Sequence, residues 1–425
     1  MEFADYKGRV CDDELIEMLE SSGAVVVEGP KWCGKTFTAR HAANSEIFLQ
    51  DRDRSAEYQR IAATKPSLLL EGDTPRLLDE WQEAMVLWDA VRFAVDMRGK
   101  MGQFILTGSA VPPDDKADGR MHSGVGRIAP MRMRTMSLWE SGESNGTVSL
   151  GALFDGECEI GARSGLSVEQ IAYAICRGGW PASIGMGEKA ALRMARNYVK
   201  EIIELDVHRV DGVERNPQRV RKLMESLARN ISTMASNETI MADVRATDQT
   251  ISPNTFAGYM NALRRIFVVE DVPAWSPALR SKTTIRQASK RHFTDPSIAA
   301  VMMRLDPRKL LMDFNTFGFL FEDLCARDLR VYAQAIDGEV FHYHDKNDLE
   351  CDLIIALNDG RWAAVEVKLG MNEEDDAARH LLKLAANIDT TRMEAPSFLM
   401  ILTGGEYAYR RKDGVLVVPV GCLKT

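Results

Sequence analysis

The sequence predicts an α/β protein with a parallel-sheet domain near its start and a second α/β region near its end. An apolar, β-branched run at 23–27 leads into a glycine-bounded loop, residues 29–36, that a helix can follow. A helix–turn–helix pattern followed by β-type runs occupies 236–300. Two apolar runs at 350–357 and 362–368 flank an Asp-Gly turn, which predicts a β-hairpin.

Composition narrows the class of protein. A chain of 425 residues is too long for one hydrophobic core and predicts two to four domains. The net charge of −9 argues against a nucleic-acid coat, although a local basic face is compatible with it. Seven scattered cysteines favour reduced thiols and a cytoplasmic location over disulfides or zinc. The apolar runs are too short for a membrane span and the acidic start is no signal peptide, so we expect no membrane partner.

Residues 29–36, with the sequence GPKWCGKT, meet the phosphate-loop template at every fixed position. The two glycines let backbone N–H groups face phosphate oxygens. Lys35 can reach the β- and γ-phosphates, and the Thr36 hydroxyl can bind Mg²⁺. We therefore expect ATP and Mg²⁺ as ligands. The expected nucleotide contacts are Gly29, Pro30, Lys31, Trp32, Cys33, Gly34, Lys35, Thr36 and Phe37.

Two further stretches supply polar side chains after apolar runs. Asp79 and Glu80 follow a short strand, where Asp79 can hold Mg²⁺ and Glu80 can deprotonate the attacking water. The alternative is a solvated acidic pair that caps the next helix. Residues 103–110 predict a buried strand that brings Thr107 or Ser109 near the γ-phosphate. A strand closed by a glycine turn is the equal alternative there.

Arginines 127, 132 and 134 follow in one stretch, and an arginine here can stabilise transition-state charge. Arg127 is the candidate for this role, with solvated arginines as the alternative. Composition changes to Gly, Ser and Glu after residue 140, which predicts a domain boundary. The helical stretches from 167 to 234 are assigned to packing.

The region 236–303 has the order of a winged helix. Two helices, the second at 255–265, precede a strand at 266–269 and a basic strand at 282–293. The second helix carries two arginines at its end. The predicted wing carries the basic residues Arg280, Lys282, Arg286, Lys290 and Arg291. Contact with DNA and docking of a protein are equal alternatives for this region.

The hairpin at 350–368 carries a second chemical candidate. Glu366 and Lys368 share one face of their strand, with Asp352 opposite, and a preceding helix can bring Glu322 near. Three carboxylates can hold Mg²⁺, and a lysine can stabilise charge on a reacting phosphate. The equal alternative is a set of edge charges that form salt bridges.

The order of these pieces resembles a prokaryotic family of AAA-type ATPases that carry a C-terminal domain of unknown function. In that family an AAA-like domain precedes a winged helix and a degenerate or intact PD-(D/E)XK nuclease-like, or restriction-endonuclease-like, fold. The matching stretches are GPKWCGKT (29–36), LLDEWQ (77–82), FILTGSA (104–110), the Gly-Arg of 126–127 with SLWE (137–140), RGGWP (177–181), TFAGYMNALRRIFVVED (255–271), RHFTDP (291–296), FGFLFEDL (317–324), LECDLII (349–355) and AVEVKLG (364–370).

The resemblance implies a domain order and residue roles. The domains are an AAA-like ATPase at 1–140, a helical linker or lid at 141–235, a winged helix at 236–303 and a nuclease-like domain at 304–425. It assigns Asp79 and Glu80 to the Walker B pair and Thr107 or Ser109 to the sensor position. It assigns the nuclease-like core to Glu322, Asp352, Glu366 and Lys368. The chain departs from the family pattern at Trp81, usually aliphatic, and at Trp32 and Cys33, usually small or polar.

We therefore expect a Mg²⁺-dependent ATPase whose nucleotide state controls the winged helix and the nuclease-like region, with DNA or a protein as a candidate partner. One alternative is a metal-dependent DNA nuclease that uses Asp352, Glu366 and Lys368 and is licensed by ATP. The other is a non-catalytic, ATP-gated module that binds DNA or protein. The oligomeric state stays open at this point.

Overall fold

The computed structural model describes residues 6–109, 124–209, 212–246, 248–277, 288–391 and 393–425. The chain divides into two compact units. The first unit comprises Met1–Thr135, Asp206–Glu214 and Asn261–Val268. The second comprises Met136–Leu205, Arg215–Met260 and Val269–Thr425. The domain division expected from the sequence, with boundaries at 140, 235 and 303, stays a prediction.

The first unit is built on a five-stranded parallel sheet with the order β2-β3-β4-β1-β5. Its elements are α1 (Cys11–Ser21), β1 (Ala24–Glu28), α2 (Lys35–Ala42), β2 (Ser45–Phe48), α3 (Ser55–Thr64), β3 (Arg76–Asp79), α4 (Val86–Arg98), β4 (Phe104–Gly108) and β5 (Ile128–Arg132). The α/β class with a parallel sheet, expected from the sequence, is confirmed.

The valines of β1 are buried on both faces of this sheet. Val26 belongs to a hydrophobic cluster with α4, while Val25 and Val27 belong to a second cluster with α1 and α2. A strand covered on both faces gives a continuous apolar run rather than an alternating one, as the sequence has it. Because Val27 lies opposite Thr107 and Leu78 opposite Leu106, the carboxyl ends of β1, β3 and β4 meet at one edge.

The second unit contains a seven-stranded mixed sheet with the order β7-β12-β13-β11-β10-β9-β8, and a separate pair of β14 with β6. The remaining elements of the chain are β6 (Val148–Ser149), α5 (Leu150–Phe154), β7 (Gly161–Arg163), α6 (Val168–Arg177), α7 (Glu188–Glu201), α8 (Val207–Arg209, in the first unit), α9 (Pro217–Arg229), α10 (Asn237–Arg245), α11 (Pro253–Arg265), α12 (Pro296–Met302), α13 (Pro307–Met312), α14 (Phe314–Gln334), β8 (Gly338–His344), β9 (Glu350–Leu357), β10 (Trp362–Lys368), α15 (Glu374–Ala386), β11 (Leu399–Thr403), β12 (Tyr407–Arg410), β13 (Leu416–Pro419) and β14 (Leu423–Lys424).

The predicted hairpin is confirmed. β9 and β10 pair antiparallel, with Trp362 opposite Ala356 and Val365 opposite Leu353. On the other side β10 runs parallel to β11, which follows α15 in the chain. Helix α15 packs on one face of this sheet through Leu381, which is fully buried and belongs to a hydrophobic cluster with Ile354, Ala364 and Ile401.

The predicted strands of the wing are not formed in the residues that the structure describes. Isolated antiparallel bridges join Val269 to Phe293 and Val272 to Lys290. The strand predicted at 266–269 is interrupted by a turn at Phe267, whose φ of 58° is left-handed. Residues Arg280, Lys282 and Arg286 of the expected wing lie outside the described residues. The two predicted helices are present as α10 and α11.

Over the same described parts of the chain, no helix is long and apolar enough to cross a membrane.

Two adjacent leucines of α15 give a matched test of this core. Leu381→Ala removes buried contacts and leaves a cavity, so we expect the free energy of unfolding of the second unit to fall by about 2–5 kcal/mol. Leu382 is 37% exposed, and Leu382→Ala should change it by about 0.5 kcal/mol or less. Urea unfolding of both variants measures the difference. Equal destabilisation by the two substitutions would contradict this packing.

Candidate nucleotide-binding site

The loop after β1 has a backbone that only glycine satisfies at two positions. A Cβ added to Gly29 would lie 2.1 Å from the Met133 carbonyl oxygen, a distance that real Cβ atoms do not adopt. Gly34, the residue before α2, has φ of 106°, a left-handed conformation that L side chains rarely take. The loop therefore turns back at Gly34 and directs the N-terminus of α2 toward its own interior.

The Lys35 side chain lies across this loop. Its ammonium donates hydrogen bonds to the carbonyl oxygens of Gly29 (3.0 Å) and Pro30 (2.9 Å), and the residue is buried. Cys33 is buried with its sulfur 3.8 Å from the Met133 carbonyl oxygen, so only its main chain can face a ligand. Trp32 and Phe37 have exposed side chains. The loop thus combines a cation with main-chain donors, the groups that bind polyphosphate.

One carboxylate joins three of the predicted residues. Asp79 Oδ1 accepts hydrogen bonds from the hydroxyl of Thr36 (2.7 Å) and from the hydroxyl of Thr107 (2.8 Å). The Thr107 hydroxyl in turn accepts from the Glu80 backbone N–H at 3.0 Å. Burial raises the pKa of Asp79 above its ordinary value, while the two hydroxyl hydrogen bonds act in the opposite direction.

Glu80 is held in an uncommon backbone conformation. Its φ of 54° is left-handed, which is rare for a residue with a side chain and recurs at functional sites. The carboxylate accepts hydrogen bonds from the Gln82 side-chain amide and from the Ser109 hydroxyl (3.3 Å). Trp81 turns inward and stacks on Trp88, with ring centroids 4.9 Å apart. Trp81, which departs from the family pattern, is therefore a buried core residue, while Glu80 is only partly buried.

These residues fit a magnesium ion. The Thr36 hydroxyl and the Asp79 carboxylate are hydrogen-bonded neighbours beside the phosphate loop. Mg²⁺ prefers oxygen ligands and keeps several waters, so a hydroxyl and one carboxylate supply what this ion takes from a protein.

Sequence spacing gave no sign of one partner of the loop. Lys31 forms an ion pair with Asp206, a residue that is buried and lies 175 positions along the chain. Asp206 ends a π-helical turn, Ile202–Asp206, that directly continues α7 in the chain. π-Helical turns are rare and frequently occur at functional sites.

The prediction that Arg127 stabilises transition-state charge at the phosphate loop is wrong for an arginine of the same copy of the chain. Its carbonyl oxygen accepts from the N–H of Ala24, the first residue of β1, so it lies at the amino edge of the sheet. About 16 Å of strand then separates it from the phosphate loop, which follows the carboxyl end of β1. Its side chain pairs with Asp96 at 2.8 Å.

The other two candidate arginines lie at the opposite end of β5. Arg132, opposite Glu28 in register, lies at the loop edge, with its guanidinium carbon 4.0 Å from the centre of the Phe267 ring. The carbonyl oxygen of Arg134 accepts a hydrogen bond from the Arg9 side chain (2.9 Å).

A second cluster of charged side chains lies in the second unit, and we call it the acidic cluster. It contains all four residues predicted for the nuclease-like core, Glu322, Asp352, Glu366 and Lys368, together with Lys290. The Lys368 ammonium lies 3.1 Å from Glu366 and 3.7 Å from Asp352. The Lys290 ammonium lies 2.5 Å from Glu322 and 3.1 Å from Asp352.

Burial and the opposing charges determine the protonation of the acidic cluster. Burial and the Asp352 carboxylate raise the pKa of Glu366 to about 8. Burial raises the pKa of Glu322 to about 7, against the attraction of Lys290. Although burial opposes it, the ammonium groups of Lys290 and Lys368 lower the pKa of Asp352 to about 2. The carboxylates are therefore charged to different degrees at neutral pH.

The acidic cluster does not have the arrangement of a metal site. Within the described residues, no three His, Cys, Asp or Glu side chains are placed to hold one metal ion. The expectation that Glu322, Asp352 and Glu366 form a Mg²⁺ site is wrong for this arrangement, because lysines lie between the carboxylates. The alternative expectation, a set of salt bridges, describes it.

Two residues of the expected wing are buried. Lys290 belongs to the acidic cluster, and Arg291 pairs with Asp271 at 2.9 Å while it donates to the Asn237 side chain at 2.9 Å. Neither cation is on a surface that DNA can reach. The prediction that these two residues form part of a basic wing is therefore wrong.

Three stretches of the chain match models of known families. Residues 21–141 match an AAA domain. Together with the phosphate loop and the parallel sheet, this match supports a P-loop AAA-type ATPase domain. Residues 168–309 and 317–423 match two domains of unknown function, DUF8612 and DUF4143.

The solved structures that match the chain are remote from it in sequence. A Walker-type ATPase of Pyrococcus abyssi is 13% identical with a TM-score of 0.42, over 70% of this chain and 96% of that one. The replication initiator DnaA bound to AMPPCP and single-stranded DNA is 16% identical with a TM-score of 0.29, over 62% and 90%. AMPPCP-bound DnaA from Aquifex aeolicus is 13% identical with a TM-score of 0.26, over 59% and 85%. No curated protein matches the chain.

The hydroxyl of Thr107 gives a test of this hydrogen-bonded set. Thr107 is fully buried, and Thr107→Val removes one of the two hydroxyl donors to Asp79 and leaves the Glu80 N–H without its partner. We expect the free energy of unfolding of the first unit to fall by about 1–3 kcal/mol. The control Thr64→Val removes an exposed hydroxyl of α3 and should cost about 0.5 kcal/mol or less. Urea unfolding measures both, and equal stability of the two variants would refute the network.

Proposed function

We propose that this chain is a Mg²⁺-dependent ATP-binding protein that hydrolyses ATP in its first unit, and that its nucleotide state controls the second unit. The observation that carries the proposal is the hydrogen-bonded set of Thr36, Asp79, Thr107 and Glu80 beside the phosphate loop. These residues come from the helix after β1 and from the ends of β3 and β4, the edge where phosphate binds in parallel α/β sheets.

Each residue of the set has a task in this proposal. The loop N–H groups and Lys35 bind the β- and γ-phosphates, for which the Lys35 ammonium exchanges its two carbonyl partners. Thr36 and Asp79 would hold Mg²⁺, which neutralises phosphate charge when bound. Glu80 orients a water molecule and accepts its proton. Thr107 fixes the backbone of Glu80, and Ser109 and Gln82 orient its carboxylate.

Stabilisation of the transition-state charge falls to Lys35 and the loop amides in this proposal. Arg127 takes no part from the same copy, because it lies at the amino edge of the sheet. An arginine finger would therefore come from a neighbouring copy of the chain, as it does in trans in other nucleotide hydrolases.

Control of the second unit would pass through Lys31. A bound polyphosphate competes with Asp206 for the Lys31 ammonium, since both are anions within reach of the same loop. Release of Asp206 changes the end of the π-helical turn that continues α7. The Lys31–Asp206 ion pair would thus sense the nucleotide, and Asp206 is the residue at which the chain passes from the second unit into the first.

The order of elements supports a nuclease-like fold for the end of the chain. Helix α14, the antiparallel strands β8, β9 and β10, helix α15 and the parallel strand β11 follow one another as in the PD-(D/E)XK family that the sequence resembles. Helices α10 and α11 likewise keep the order of a winged helix. DNA remains a proposed partner on this basis. We propose no nuclease reaction, because the acidic cluster does not fit a metal ion.

A single carboxylate change tests the hydrolysis. Glu80→Gln should lower the rate of phosphate release from MgATP at least 100-fold, because an amide cannot accept the proton of water. The control Glu83→Gln makes the same chemical change at an exposed residue three positions along the chain and should retain turnover. Binding of a fluorescent ATP analogue should persist in both variants.

The same assay separates the alternatives. Turnover by wild type that rises with duplex DNA supports a DNA-coupled ATPase. Binding of ATP without turnover, with or without DNA, would refute the hydrolase and leave an ATP-gated binding module. Full turnover by Glu80→Gln would refute the role of Glu80.

The Lys31–Asp206 pair predicts a change in backbone protection. A non-hydrolysable ATP analogue with Mg²⁺ should speed hydrogen exchange at residues 202–209, measured by mass spectrometry, as Lys31 turns to phosphate. Lys31→Met should show fast exchange without nucleotide and little further change with it. Lys65→Met, at an exposed lysine of the first unit, should behave as wild type. Unchanged exchange in wild type on nucleotide binding would refute this route of control.

A further inference from the structure

Lys290 lies where the acidic residues of the acidic cluster converge. Its ammonium bridges Glu322 from α14 and Asp352 from β9, at 2.5 Å and 3.1 Å. The side chain is only 11% exposed. Lysine is almost never buried without a partner, and here the two carboxylates are the partners. This lysine comes from the segment before α12. The rest of the cluster comes from helix α14 and from the hairpin of β9 and β10.

Both oxygens of Asp352 already accept hydrogen bonds from other groups of the chain. Oδ1 is bonded to Lys290. Oδ2 accepts a hydrogen bond from the Val367 backbone N–H at 2.9 Å and lies 3.7 Å from the Lys368 ammonium. The backbone pairing of β9 with β10 ends at Leu353 and Val365. Beyond that point the Asp352 side chain, rather than the backbone of β9, accepts the hydrogen bond of the Val367 N–H on β10. Its carboxylate is thereby fixed in orientation.

The backbone around Lys290 is anchored at several points. Lys290 and Val272 exchange two backbone hydrogen bonds of 2.9 Å each. The Ala288 carbonyl oxygen accepts from His342 Nε2 at 3.0 Å, and His342 lies on β8. Trp275 donates its backbone N–H to the His342 carbonyl oxygen at 2.7 Å. A short strap of residues 272–275 and 288–290 is thus attached to the edge of the sheet and delivers the lysine.

The charges of the cluster favour one cation of this kind over a divalent one. Three carboxylates carry at most three negative charges, and two ammonium groups carry two positive charges. A divalent ion added to this set would leave an excess positive charge in a buried position, which is costly. With Lys290 replaced by a neutral side chain, the same ion would bring the set to zero.

We propose that the Lys290 ammonium is the built-in cation of the acidic cluster and that it excludes divalent metal ions from Glu322, Asp352 and Glu366. The nuclease-like region is then closed to metal-dependent cleavage of nucleic acid and serves as a rigid, internally neutralised core. The inference is independent of the proposed ATPase, since it concerns metal binding in the second unit alone.

Binding of Mn²⁺ to the full chain without nucleotide tests the proposal. Thr36→Ala is introduced throughout to disable the phosphate-loop site, and free Mn²⁺ is followed by electron paramagnetic resonance. Thr36→Ala alone should bind no Mn²⁺ at micromolar concentrations. Addition of Lys290→Met should create one site per chain, and further addition of Asp352→Asn should remove it. The control Lys346→Met, at an exposed lysine near β9, should create none.

Two results would overturn the proposal. One is a stoichiometric Mn²⁺ site in Thr36→Ala that Asp352→Asn abolishes, since Lys290 would then not exclude the metal. The other is a folded Lys290→Met variant without a new site. Where Lys290→Met alone does not fold, Lys290→Gln carries the same expectation, because it removes the cation and keeps a side chain that can donate hydrogen bonds to Glu322 and Asp352. Protection of that variant against heat by Mn²⁺, absent in Thr36→Ala, gives a second readout.

Discussion

The first unit depends on one shared acceptor, the Asp79 Oδ1 atom. It receives the hydroxyl of Thr36 from the helix after the loop and that of Thr107 from β4, and the second hydroxyl also holds the Glu80 N–H. Three strands of a parallel sheet that end at one edge make this convergence possible. The position of each group that would act on a nucleotide therefore follows from the register of β1, β3 and β4.

The two charged sites of the chain satisfy buried carboxylates in different ways. Asp79 is bonded to hydroxyl groups, which donate hydrogen bonds without cancelling its charge, so it remains attractive to a cation. Asp352 accepts hydrogen bonds from the Lys290 ammonium and the Val367 backbone N–H, and the Lys368 ammonium lies 3.7 Å away, so two cations oppose its charge. A carboxylate paired with neutral donors fits metal binding, whereas one paired with lysines fits internal neutralisation.

Local sequence signals predicted much of the fold, because they depend on neighbouring residues. The valine run before the phosphate loop, the glycines at 29 and 34 and the Asp-Gly turn each determine backbone geometry within a few residues, and β1, α2, β9 and β10 follow them. Asp206 could not be found in this way, because its partner Lys31 is 175 positions away. The order of helices and apolar runs places Lys290 in a wing, and a stretch with three arginines makes Arg127 a candidate, but neither pattern shows that Lys290 is buried or at which edge of the sheet Arg127 lies.

The composition of the first unit has a consequence for its biosynthesis. The unit takes up Asp206–Glu214 and Asn261–Val268 in addition to the stretch that ends at Thr135. More than half of the chain must therefore be synthesised before this unit has all its parts. Part of the second unit is synthesised during the same interval. Until then the first unit would have its whole parallel sheet but lack these two stretches, and such an incomplete intermediate exposes apolar surface that chaperones bind. An expression fragment cut at residue 140 would keep that defect permanently.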